Sequence, residues 1–206
     1  MSKAYVALIA DAVASRRLLP PARARLQARL RAALPAYARR WRRHLAARFA
    51  VTLGDEVQGL LTGAEPLWEI VHRLRLDFPD VEWVIACGRG ALTTPLSPRA
   101  TAPELDGPCF HAARGALEAA KRDRLVLAFG AFPAAVAPFV PYYSALYWSW
   151  TPRQRHTATL LRLGSPAEAA TALKVDRSAV SHLARRMAWP IVAAGDKMFR
   201  AAILEA

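Results

Sequence analysis

Arg48-Phe49-Ala50-Val51-Thr52-Leu53-Gly54-Asp55-Glu56-Val57-Gln58-Gly59-Leu60-Leu61 holds two β-prone runs around a Gly-Asp turn. Arg48 to Leu53 reads as a strand and Glu56 to Leu61 as its returning partner, because Gly and Asp accept the backbone angles of a tight reversal. A hairpin here needs a larger sheet to bury it, and strand-like segments on either side supply one. Residues 4–10 alternate up to Asp11. Val81 to Cys87 is a further strand, with a short continuation over Ala91 to Thr94 after the turn Gly88-Arg89-Gly90, and Leu125 to Phe129 is the last. Helical spacing runs over residues 21–47, where Pro35 should bend or break the helix, over Glu65 to Phe78 through Leu67, Ile70, Val71 and Leu74, and over Gly107 to Lys121. Ser97 to Asp106 reads as a loop. This order predicts an α+β fold, an antiparallel sheet of the ferredoxin-like or palm type backed by helices.

The chain has 206 residues and is 54% hydrophobic, enough for a sizeable core and incompatible with bulk disorder. With 29 Lys and Arg against 16 Asp and Glu, its formal charge of +13 favours polyanionic partners: nucleic acid, nucleotides or an acidic membrane surface. Cys87 and Cys109 lack metal-ligand spacing and read as buried reduced thiols. The apolar run after Ser2 is too short for a signal peptide, which predicts a cytoplasmic protein. Leu125 to Trp150 contains no charged residue, but Pro133, Pro138, Pro141 and Gly130 interrupt it and aromatic residues crowd its end. It therefore reads as a closing strand, a turn and an aromatic helix from Pro138 to Trp150, with no membrane span. Tyr143, Leu146, Tyr147 and Trp150 share one apolar face of that helix, which predicts a homodimer seam or, instead, packing within one chain against the palm-like domain.

Beyond Trp150, Pro152 to Leu163 and Pro166 to Lys174 read as helices, the second capped by Ser165, and Asp176 should cap a third that runs to Met187. The phrase from Glu168 to Arg186 resembles the helix-turn-helix of bacterial regulators, with Val175, Val180 and Leu183 as its small core. That resemblance implies double-stranded DNA as a partner. On the third helix Ser178, Ser181, His182 and Arg185 share a face, and Arg177 stands at the end that meets base edges. Lys174 occupies the turn position where such modules usually carry Gly. The alternative use of such a face, on a three-helix bundle, is protein contacts. The expected organisation is thus a palm-like α+β domain over 1–130, an aromatic linker helix over 131–150 and a small all-α helix-turn-helix domain over 151–206.

Three N-terminal segments stand out: Ala10-Asp11-Ala12-Val13-Ala14-Ser15-Arg16-Arg17 after a strand, Thr52 to Leu61 at the hairpin, and Asp106-Gly107-Pro108-Cys109-Phe110-His111-Ala112-Ala113-Arg114 opening a helix. In this order they resemble the SatD family of bacterial proteins. They are also similar to the palm of class III nucleotidyl cyclases, which place one aspartate after the first strand and another in a Gly-Asp hairpin. That resemblance implies that Asp11 and Asp55 hold Mg²⁺ or Mn²⁺ beside a nucleotide, and that Arg114 stabilises charge at phosphorus. Ser15, Arg16 and His111 are further candidates for phosphate contact. Two positions depart from the cyclase pattern. The asparagine four residues before the arginine is Phe110, unless a one-residue shift puts His111 there, and the purine-selecting lysine is Val51. Features for metal and phosphate survive while those for the base do not, which favours a ligand-binding or assembly domain over an active nucleotidyl-transfer enzyme. Asp11 and Asp55 also suit a strand end and a turn on backbone grounds alone.

Between Asp11 and Asp55 there is no acidic residue, yet the arginines number eleven, from Arg16 to Arg48. A solvated helix usually mixes signs to gain i, i+4 pairs. The excess predicts a track for a polyanion such as the DNA backbone, or a chain that uses arginine freely wherever a long polar side chain is wanted.

Overall fold

The computed structural model describes residues 3–13, 19–52 and 54–205. Ser15 and Arg16, named above as phosphate candidates, lie outside the described residues. The strands are β1 (Tyr5–Ala12), β2 (Leu45–Val51), β3 (Glu56–Leu61), β4 (Trp83–Gly90) and β5 (Leu127–Gly130). The helices are α1 (Pro20–Arg40), α2 (Leu67–Asp77), α3 (Pro108–Arg122), α4 (Phe139–Ser149), α5 (Pro152–Leu163), α6 (Pro166–Leu173), α7 (Arg177–Arg186) and α8 (Trp189–Leu204). Short 3₁₀ turns stand at Ala102–Glu104 and Ala134–Val136.

The five strands form one sheet in the order β2-β3-β1-β4-β5. β1 runs antiparallel to both its neighbours, β3 and β4, and β2 pairs antiparallel with β3. β5 departs from the expected all-antiparallel sheet by joining β4 in parallel. The cause is the connection: α3 carries the chain back across the sheet, and only such a crossover brings a second strand in with the same direction.

Period-two alternation divides the core into two faces. Val6, Leu8 and Ala10 of β1 face the layer formed by α1, α2, α4 and the end of α8. Ala7 and Ile9 face α3, through Cys109, Phe110, Ala113, Leu117 and Ala120. Burial on both sides explains why β1 reads as a nearly unbroken apolar run.

Three expected boundaries are corrected. α1 continues unbroken through Pro35 and ends at Arg40, short of residue 47. Its apolar stripe (Leu26, Leu30, Leu34 and Tyr37) holds it on the sheet, while Pro35 and Arg31 are exposed, so water can serve the carbonyl that the proline leaves free. β2 starts at Leu45, where buried Trp41 has already turned the chain, its ring set edge-on to Tyr37 and Phe49. Ala91 to Thr94 forms no strand, because the amides of Thr93 and Thr94 both donate to the Asp106 carbonyl in the returning loop.

The face expected to pair two copies is covered within the chain. Tyr143 is 1% exposed and Trp150 7%, with Leu146 and Tyr147 half-buried. Their covers are α2, α5 and α8: Trp68 lies edge-on to Tyr143, and Arg155 stands over Tyr147. Of the two uses open to this face, packing within the chain is the one the fold adopts; sequence alone does not reveal these partners. α8 also returns to the sheet, where Phe199 stacks on Phe139 at 5.2 Å and Ala202 and Ile203 enter the same core. Among the described residues no helix is long and apolar enough to cross a membrane.

Candidate functional site

On the α3 side of the sheet, beside β1 and β3, lies a cleft of about 1090 Å³. Asp11 enters it because alternation along β1 places it on the same face as Ala7 and Ile9. Asp55 enters from the turn between β2 and β3, where Gly54 takes a φ of +102°, a conformation closed to most side chains. α3 contributes Arg114 and Lys121, seven residues apart and so on one helical face. Trp148 of α4 forms part of the far wall.

Inside the cleft most charges are paired. Lys121 Nζ stands 2.7 Å from Asp11 Oδ2. Arg114 donates through both terminal nitrogens to Glu56, at 2.5 and 2.8 Å, and Gln58 donates to the same carboxylate at 2.7 Å. Burial alone would raise the Glu56 pKa, but the bonds from Arg114, Gln58 and Thr52 outweigh it and hold the group below its usual value. Asp55 differs. It is 6% exposed, its Oδ2 has no hydrogen-bond partner among the described residues, and the Arg23 guanidinium stands 3.8 Å from its Oδ1, beyond hydrogen-bond distance.

The orphaned Asp55 oxygen and Asp11 in one cleft fit a divalent ion of the Mg²⁺ or Mn²⁺ type, with a condition. Among the described residues no three His, Cys, Asp or Glu side chains gather as a ready cage. An ion held by two carboxylates draws its remaining ligands from water and from phosphate oxygens, as Mg²⁺ commonly does. Asp11 would also have to release Lys121.

Of the other phosphate candidates, His111 is not brought to the cleft. It pairs with Asp106 at 2.8 Å in an exposed position at the start of α3. Arg114 is in place but committed to Glu56, a residue that sequence reading passed over although it adjoins Asp55. Lys121 was missed too; its i+7 spacing from Arg114 was the available signal.

The second candidate surface is α7. Arg177, Ser178, Ser181, His182 and Arg185 are all exposed. The opposite side is anchored by Val180 against Ala169 and Ala170 of α6. Lys174, between α6 and α7, adopts the left-handed conformation at φ 53° and ψ 46°. Ser165 caps α6 as expected, and Glu168 completes a capping box with it, whereas the Asp176 side chain makes no capping bond to α7. Arg185 donates to His182 Nδ1 at 2.7 Å, which leaves the ring's other nitrogen to carry the proton outward. Among the described residues Arg177 and Arg185 have no acidic partner within ion-pair distance.

The family model of the SatD family matches residues 5–124, from β1 through α3. The chain belongs to the SatD family. The matched span includes the strands and helix that carry Asp11, Asp55 and Arg114, and ends before α4 to α8. Comparison with curated proteins gives no match.

Proposed function

We propose that the chain is a DNA-binding transcriptional regulator, with a ligand-binding sheet domain over residues 1–130, the aromatic helix as connector, and a helix-turn-helix over 151–206. The exposed face of α7 carries this reading: Arg177, Ser178, Ser181, His182 and Arg185 are exposed on the side away from Val180, and among the described residues no acidic group pairs with the two arginines. Arg forks recognise guanine edges or phosphates, Ser and His serve either, and a helix set on a short turn after its partner is the usual carrier. The left-handed Lys174 supports the same reading, since it gives that turn without the customary glycine.

Replacing Arg177 and Arg185 together by Ala should weaken binding to a selected duplex at least 10-fold, since each arginine–base pairing is worth on the order of 1–3 kcal/mol. Circular dichroism and melting temperature should hardly change, because both side chains are exposed. A double variant that binds the selected duplex as tightly as wild type at physiological salt would refute the assignment.

Support for a palm-like sheet domain comes from its strand order. Taken without β5, the order β2-β3-β1-β4 with helices after β1 and β3 is similar to a ferredoxin-like arrangement. The unpartnered Asp55 oxygen favours a second reading, metal-dependent nucleotidyl transfer in the cleft. The Arg114–Glu56 and Lys121–Asp11 pairs favour a binding role, since the two cations that α3 brings into the cleft are already held. Thermal melts with Mg²⁺ or Mn²⁺, alone and with a nucleoside triphosphate, test the cleft. Stabilisation should require both together and vanish in Asp55→Asn, because ligands that bind only the native state raise its apparent stability. Turnover of the triphosphate that Asp11→Asn abolishes would establish the enzyme instead.

A further inference from the structure

We propose that the outer edge of α1 and the turn after it form a second nucleic-acid surface that engages the phosphate backbone of duplex DNA. This inference rests on reading α7 as the sequence-recognising contact. The fold sorts the arginines of this segment into two groups. Along the edge facing α2, Arg29 forks onto Asp80 at 2.7 and 2.9 Å and Arg40 binds Glu69, so these charges are neutralised within the chain. Arg25, Arg31, Arg39, Arg42 and Arg43 are exposed and, among the described residues, have no acidic group within ion-pair distance.

The stripe sits on a fixed support, because Leu26, Leu30, Leu34 and Tyr37 hold the opposite side of α1 against the sheet. From Arg25 to Arg39 the helix rises roughly 21 Å at 1.5 Å per residue. That length spans about six phosphates of one strand along a duplex axis. The composition of the stripe selects the partner. Ala28, Ala32 and Ala36 are exposed between the arginines, and no exposed Trp, Phe or Leu stands between Arg25 and Arg43 to enter a bilayer or stack on an unpaired base. Duplex DNA needs neither. A row of like charges with no acidic neighbour repels itself and is relieved when phosphates replace the missing anions.

The test compares three full-length proteins, checked for fold by circular dichroism: wild type, a variant with Arg25, Arg31, Arg39, Arg42 and Arg43 all changed to Gln, and the Arg177→Ala/Arg185→Ala variant. Binding is measured across a salt series to a duplex enriched from a random-sequence pool and to the unselected pool. Each phosphate contact contributes about −0.9 to the slope of log K against log salt. The glutamine variant should flatten the slope by roughly two units or more on both DNAs and leave the ratio of their affinities unchanged. An unchanged slope overturns the proposal. So does binding of the wild type to phosphatidylserine vesicles but not to duplex, which would name a membrane as the partner. Failure of the α7 reading shows separately, as an Arg177→Ala/Arg185→Ala variant that keeps the wild-type affinity ratio between the two DNAs.

Discussion

His72 lies fully buried on α2, and its two ring nitrogens have different tasks. Nδ1 donates to the Trp68 carbonyl at 2.7 Å, so Nε2 accepts from the Tyr143 hydroxyl at 2.9 Å, and that hydroxyl in turn accepts from Arg162. Burial, and next the Arg162 guanidinium, hold the imidazole well below its ordinary pKa. In the unfolded chain the same ring takes up a proton as pH falls through about 6.5. Below that pH the unfolded state binds the additional proton, so stability should decline by about 1.4 kcal/mol per pH unit; above it His72 adds no pH dependence. Denaturant melts between about pH 5 and 7 should show this decline, and His72→Gln should flatten it by about one proton. A wild-type curve that is level over that range would refute the neutral assignment. The carboxylates held low, Glu56, Glu69 and Asp80, act in a more acidic window, because their contribution is lost only as pH falls below about 4.

At the scale of elements, α3 lies so close to β4 that glycine is required at position 88. A Cβ there would collide with the backbone of Cys109 and Ala113. Gly88→Ala should cost about 1–3 kcal/mol, the usual penalty for overpacking, and should also disturb the cleft, since α3 carries both Arg114 and Lys121. Calorimetry measures the first effect; loss of metal- and nucleotide-dependent stabilisation reports the second. The turn between α6 and α7 gives the opposite case. A left-handed backbone costs Lys174 about 1 kcal/mol, and glycine returns part of that gain through unfolded-chain entropy. Lys174→Gly should therefore raise stability by about 0.5 kcal/mol. A lower melting temperature would mean that the lysine side chain contributes more than its backbone costs.

Across the whole molecule, a buried ion pair and a ring cluster tie α5 and α8 to the sheet. Arg162 of α5 donates to both oxygens of Asp196 on α8, at 2.7 and 3.1 Å, and lies over the rings of Tyr143, Trp150, Trp68 and Trp189. Asp196→Ala should cost about 3–5 kcal/mol, because it leaves a guanidinium buried without its anion. Phe199 fills a gap bounded by Trp68, Phe129, Phe139 and Tyr143. Phe199→Ala should cost a similar amount, about 3–5 kcal/mol. Such coupling predicts one cooperative unfolding transition monitored by strand and by helix signals alike. Two separated transitions would show that α5 to α8 fold independently of the sheet.

The elements were legible wherever the signal was local. The apolar run that stops at Asp11, the Gly54-Asp55 reversal and the Ser165-Pro166 helix start each depend on neighbours in the chain, and β1, the β2–β3 hairpin and α6 form there. Composition and spacing also placed the exposed side chains of α7, because a helix that buries Val180 must turn Ser181 and Arg185 outward. What sequence could not decide was which distant group meets each charge or ring. Arg114 finds Glu56, Lys121 finds Asp11, and Tyr143 meets His72 across 71 positions of chain. The aromatic face of α4 suited a second copy or the chain's own core equally on spacing alone, and the closing of α2, α5 and α8 over it decides for the core. Pairings of this kind follow from the sheet order and the return of α8. Those are set by the summed burial of two apolar faces, which no local stretch of sequence contains.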